Sequence, residues 1–135
     1  MRVLITGSRN WEGVWAETEV GVVLMAVECL SIVLRSPLVI VHGGCPTGAD
    51  AIADRWARRR DYEPEVHPAD WARWGKGAGP MRNVKMVEAG ADMCIGFLRD
   101  SSKGTLHCLE MARIAQIPTF TVHWNRGGED VDQDN

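Results

Sequence analysis

Four stretches of this chain carry glycine, small hydroxyl residues or cationic residues where a helix should start, an arrangement that suits a bound anion. The clearest is Val39-Ile40-Val41-His42-Gly43-Gly44-Cys45-Pro46-Thr47-Gly48-Ala49-Asp50. An apolar run, a glycine-rich loop and a helix start follow one another. That order leaves backbone N–H groups bare at a helix N-terminus, a place that favours phosphate. No Lys-Ser/Thr pair follows the last glycine, so this is not a Walker A loop. Gly43-Gly44 also lacks the G-x-G-x-x-G spacing of dinucleotide sites. Two readings stand side by side: a phosphate cradle built on Gly43, Gly44 and Gly48, or a tight turn that needs glycine at positive φ. Thr47 suits the N-cap. Asp50, in the first helical turn, either offsets the helix dipole or accepts ribose hydroxyls.

The other stretches sit where further strands should end. In Thr6-Gly7-Ser8-Arg9-Asn10-Trp11, Gly7 permits close backbone approach, Ser8 can donate to a phosphate oxygen and Arg9 can clamp one. Trp11 either stacks on a base or packs against the next helix. Asp70 and Trp71 precede Trp74-Gly75-Lys76-Gly77, a glycine-rich stretch with the look of a lid. Pro80 fits a helix first turn, which places Arg82 and Asn83 at another anion-friendly N-terminus. Arginine there works against the helix dipole, so some other demand is expected to keep it. Finally, Gly104-Thr105 opens a helix after Arg99-Asp100-Ser101-Ser102-Lys103. His107 beside it is read as a polar residue of the helix start rather than an acid or base.

The elements that must position these residues follow from periodicity. Five β-rich apolar runs, Val3–Thr6, Leu38–His42, Glu65–His67, Met93–Phe97 and Thr119–Val122, alternate with helical patterns over Val14–Arg35, Ala49–Arg60, Pro80–Ala89 and Gly104–Gln116. Such alternation predicts a mainly parallel sheet with helices on both faces, a single small doubly wound α/β domain of Rossmann-like type. In that architecture ligands bind beyond the carboxyl ends of the strands, where all four stretches fall. The domain is expected over residues 1–124, with a disordered acidic tail over 125–135.

Composition narrows the function classes. The chain has 135 residues, 45% hydrophobic and 24% charged, with a net charge of −3. This is ordinary for a soluble domain and gives no sign of a protein built to bind nucleic acid. Arg58-Arg59-Arg60 reads as a solvated helix end. The N-terminus enters a strand directly and carries no signal-peptide pattern, so a cytoplasmic protein is expected, with no membrane partner. Cys29, Cys45, Cys94 and Cys108 form no C-x-x-C pair, and His42, Cys45, His107 and Cys108 match no common zinc spacing. Neither metal nor cofactor is expected. The helix Val14–Arg35 is apolar on nearly every side, which predicts a homo-oligomer interface.

Taken together, Ile5-Thr6-Gly7-Ser8-Arg9, His42 to Asp50, Gly79-Pro80-Met81-Arg82-Asn83 and Lys103-Gly104-Thr105 resemble the YspA/YpsA-related branch of the SLOG superfamily, over Arg2 to about Val122. Members of this branch occur in bacteria and bacteriophages. The superfamily also holds the Lonely-Guy phosphoribohydrolases and the DprA DNA-processing proteins. The resemblance implies a Rossmann-like fold and a nucleotide or nucleotide-derived ligand. Its enzymes cleave a base from ribose 5′-phosphate with an arginine, which Arg82 resembles, and a glutamate in P-G-G-x-G-T-x-x-E. Here Cys108 stands at the glutamate position, Asp100-Ser101-Ser102 replaces Pro-Gly-Gly, and Glu110 lies two residues beyond on another helix side. The expectation is therefore a nucleotide-binding protein. Glycosidic cleavage, with Arg82 and Asp50 as candidate catalytic residues, is the first alternative, and DprA-like binding of single-stranded DNA is the second.

Overall fold

The computed structural model describes residues 1–124, and the expected tail at 125–135 lies outside them. Strand β1 (Arg2–Gly7) shows why the sheet is buried on both sides. Val3 and Ile5 point to one face and Leu4 to the other, and all three have no exposed surface. Strands β2 (Val39–His42), β3 (Glu65–Val66), β4 (Met93–Arg99) and β5 (Thr119–Trp124) complete the sheet. The order is β3-β2-β1-β4-β5, with every neighbouring pair parallel. This is a small Rossmann-like α/β domain. Strand order reverses at β1, so the crevice between the ends of β1 and β4 is the place for a ligand.

Two apolar layers flank the sheet. On one side Val3, Ile5, Ile40 and Phe97 pack with α1 (Val14–Val33) and α2 (Gly48–Arg59) through Val20, Leu24, Ile52 and Ala53. On the other, Leu4, Val41 and Cys94 meet α4 (Ala78–Glu88) and α5 (Lys103–Ile114) through Met86, Val87, Cys108 and Leu109. Ahead of α4 the chain makes a single helical turn, α3 (Trp71–Trp74), and a 3₁₀ turn at Gly75–Gly77. Among the described residues no helix is long and apolar enough to cross a membrane.

Three helices stop earlier than their sequence patterns suggest, and for one reason. Arg35, Asp61 and Gln116 adopt positive φ just past α1, α2 and α5. Each is followed by a backbone bond that reaches back five residues: Ser36 to Ser31, Tyr62 to Ala57 and Ile117 to Ala112. These are Schellman ends made without the glycine that normally marks them.

Candidate functional site

A cleft of about 690 Å³ opens at the carboxyl edge of the sheet above β1 and β4. Its walls come from the turn after β1, the starts of α4 and α5, and the segment after β4. Trp71, in α3, and Lys76, in the 3₁₀ turn, complete the lining. The volume lies within the usual range of small-molecule sites.

Arg82 holds the walls together. Its guanidinium donates to the Gly43 carbonyl and, through Nε, to Asn83 Oδ1 at 3.0 Å. That second bond fixes the Asn83 amide, so Nδ2 must face the other way. It donates to the Gly104 carbonyl at 3.2 Å and to His107 Nδ1 at 3.2 Å. An accepting Nδ1 leaves the proton of neutral His107 on Nε2. One chain of hydrogen bonds thus links the β2 loop, α4 and α5. Gly43 has its own part in this, because a Cβ there would overlap the Arg82 guanidinium.

The glycine-rich loop does not line this cleft as a phosphate cradle. The amides of Gly43 and Cys45 both point to Asp50 Oδ2, at 3.1 and 3.4 Å, and the Gly44 amide donates to His42 Nδ1 at 3.0 Å. His42 Nε2–H in turn faces Asp54 Oδ2 at 2.7 Å. Burial raises the Asp54 carboxyl, but hydrogen bonds from Arg58 and His42 outweigh it and hold it below the usual range. The loop amides are already engaged by the protein's own acceptors, and of this loop only Cys45 reaches the cleft wall. Gly48, at φ 74°, is required by the close approach of α2 to the Ser8 carbonyl and Arg9 backbone. Thr47 marks the start of α2 without a side-chain capping bond.

Asp50 is the most buried charged residue of the cleft lining. Its residue is 6% exposed, and Oδ1 makes no hydrogen bond among the described residues. Burial pushes the carboxyl above its ordinary range, against the opposing pull of His42, Arg82 and the two loop amides. A buried carboxyl with one oxygen pinned and the other open to the cleft can accept from a ligand hydroxyl or, when protonated, donate to an acceptor.

Several expected contacts are placed differently. Trp11 does not reach the cleft: it is fully buried, edge-on to Phe97 and Trp124 at ring distances of 5.5 and 5.6 Å, so its ring serves the core. The Ser8 hydroxyl accepts from the Arg99 amide at 2.9 Å and reaches the Arg99 carbonyl at 3.2 Å, tying β1 to β4 rather than waiting for phosphate. Gly7 leaves room for Ala49, whose Cβ a side chain would strike. Asp70 caps α3 through the Arg73 amide and lines a smaller neighbouring pocket of about 210 Å³. Trp71 does border the cleft, half exposed, with the Arg9 guanidinium 5.5 Å from its ring centre. Thr105 and Gly104 form the start of α5 at the cleft wall, and the Ser102 and Thr105 hydroxyls lie 3.0 Å apart.

Charge is the feature that single motifs did not convey. Arg9, Lys76, Arg82, Arg99 and Lys103 line the cleft against only two carboxylates, Asp50 and Asp100. The chain as a whole carries −3. Arg99, Lys76 and Lys103 were legible only through the rule that strand ends and helix starts converge on one edge. By contrast, Cys108, at the position of the superfamily glutamate, is sealed beneath the floor with no exposed surface. Cys94 lies beside it, and the hydrogen bond between the two thiols together with burial pushes the Cys94 thiol up. Glu110 is exposed and paired with Arg113 at 2.7 Å, away from the cleft.

A family model described as YspA, cpYpsA-related SLOG family matches residues 1–74. The Gene 61 protein of Mycobacterium phage D29 is 48% identical over 130 residues, 88% of this chain and 94% of that protein. The chain belongs to the YspA, cpYpsA-related SLOG family. The matched family segment contains the β1 turn, the Gly43–Asp50 loop and Trp71, while the phage relative extends the similarity across most of the chain. No solved structure matches it.

Proposed function

We propose that this SLOG-family chain binds a phosphate-bearing nucleotide or nucleotide-derived molecule in the cleft, as a sensor or ligand-binding protein. The observation that carries this reading is a cleft lined by five cationic residues and by a buried carboxyl with one oxygen free of hydrogen bonds among the described residues. Cations and the helix starts of α4 and α5 suit phosphate. The open Oδ1 of Asp50 suits a ribose hydroxyl, and the half-exposed Trp71 ring suits a base face. A thermal-shift screen over mono-, di- and cyclic nucleotides, NAD and ADP-ribose tests it. A ligand at a hundredfold its Kd adds about 2.7 kcal/mol. A panel without any stabilising member overturns the reading.

A second reading, cleavage of a nucleoside 5′-monophosphate, draws on Asp50 alone. Glycosidic cleavage needs negative charge beside a developing oxocarbenium ion. Cys108 is too buried to supply it, whereas Asp50 borders the cleft. This reading requires free base to appear on incubation with a nucleotide, and Asp50→Asn to abolish release while ligand-induced stabilisation persists. Absence of base release across the panel leaves binding as the function.

A further inference from the structure

The outward face of α1 carries a pattern that nothing in the nucleotide cleft explains. Its inward face buries Ala16, Val20, Leu24, Val27 and Ser31. On the opposite side, Trp15, Thr18, Val22, Met25, Cys29 and Ile32 follow a strict 3-4 spacing, and all six are exposed. This is the a/d stripe of a heptad repeat, the pattern of helices that pair side by side. Val14, Ala26 and Val33 fill the gaps, so the exposed arc, about 120° wide at 3.6 residues per turn, is apolar except for Thr18. Even the Thr18 hydroxyl is turned back, onto the Val14 carbonyl at 3.0 Å.

Two acids of α1 are drawn away from this face, and Glu19, exposed at its edge, falls at the rim of the seam. Glu17 pairs with Arg55, and Glu28 is held by Tyr62 at 2.8 Å and Arg60 at 3.7 Å, all on or just after α2. The exposed apolar side chains of the stripe offer on the order of 800 Å², which matches one partner's share of a standard interface and exceeds what monomers usually leave bare.

We infer that α1 is a homodimer seam, occupied by α1 of a second copy of this chain in antiparallel register. The stripe is complementary to itself. A two-fold axis between Val23 and Leu24 sets Trp15 opposite the second copy's Ile32, Thr18 opposite its Cys29 and Val22 opposite its Met25. Every layer then joins one a position to one d position, which is how antiparallel pairs pack, and the symmetry closes at two copies. A partner of different sequence has no need of that symmetry.

Sedimentation of the full chain at tens of micromolar is expected to give the mass of two chains, and Val22→Glu the mass of one. Both should keep the same far-UV spectrum, because Val22 is exposed. Register is read by oxidation. Thr18→Cys should cross-link into a dimer through Cys29 of the other copy, while wild-type protein should not, because antiparallel pairing holds the two Cys29 thiols apart. A monomeric wild-type chain overturns the seam. Wild-type cross-linking through Cys29, or no cross-link in Thr18→Cys, overturns the antiparallel register. Neither outcome depends on any ligand.

Discussion

Asp50 Oδ2 accepts the Gly43 amide across seven residues of chain. The glycine-rich loop therefore clasps an anion that belongs to the protein. Glycine in such a loop is usually taken as room for phosphate. Here the same bare amides are satisfied from within the motif, and the carboxylate that satisfies them turns its other oxygen to the cleft. The loop shapes the ligand site by fixing Asp50 and by leaving space for Arg82.

Removing the Asp50 carboxyl should expose this arrangement. Asp50→Ala strands the Gly43 and Cys45 amides, both bound to Oδ2. Each buried donor left unpaired costs about 1–3 kcal/mol, so a total loss of roughly 2–6 kcal/mol is expected in urea unfolding. Asp50→Asn keeps an oxygen for the amides and should lose about 1 kcal/mol or less. Equal losses in the two variants would show that the amides do not depend on this acceptor.

Gly43→Ala should act on ligand binding through Arg82. Its new methyl group would stand where the guanidinium lies. The guanidinium must then leave the Gly43 carbonyl, which loosens its bond to Asn83 and the link onward to α5. Ligand-induced thermal shifts should fall in Gly43→Ala nearly as far as in Arg82→Ala. An unchanged shift in Gly43→Ala alone would mean that the position of Arg82 is not what the ligand reads.

Much of this fold is written plainly in the sequence, because β1, β2 and β4 are apolar runs buried on both faces and alternate with helices. The helix ends are not, since Arg35, Asp61 and Gln116 take a conformation usually signalled by glycine. Trp11 also resisted reading. A tryptophan two residues beyond Arg9 is equally suited to a base or to a core, and packing against Phe97 and Trp124 decided it. The destination of the loop amides had a faint signal. Asp50 is the third residue of α2, where an acidic or amide side chain commonly reaches back towards amides before the helix.

Gln116 offers a direct test of the glycine-free helix ends. Its φ of 61° is unfavourable for a side chain with a Cβ. Gln116→Gly relieves this while keeping the bond from Ile117 to Ala112. Part of the gain is offset by the greater freedom of glycine in the unfolded chain. A net stabilisation of about 0.5 kcal/mol is expected, with a higher Tm. A lower Tm would mean that the Gln116 side chain contributes more than its backbone strain costs.

The last prediction concerns acid. Arg2 and Glu65 pair across the sheet through the two terminal guanidinium nitrogens, at 2.5 and 2.9 Å, and so tie the two-residue strand β3 to β1 across β2. The hydrogen bond from Arg2, joined by one from His67, lowers the Glu65 carboxyl to about 2. A carboxyl depressed in the folded state binds protons more readily when unfolded. Its contribution is therefore fully present above the ordinary glutamate value and is lost as pH falls towards 2. Both side chains are about one-third exposed, so solvent screening limits the contribution to about 1 kcal/mol. Urea midpoints measured between pH 5 and pH 2 should fall less steeply for Arg2→Ala than for wild type, with the two curves converging at the acid end. Parallel curves over that range would show that this pair does not couple β3 to the sheet.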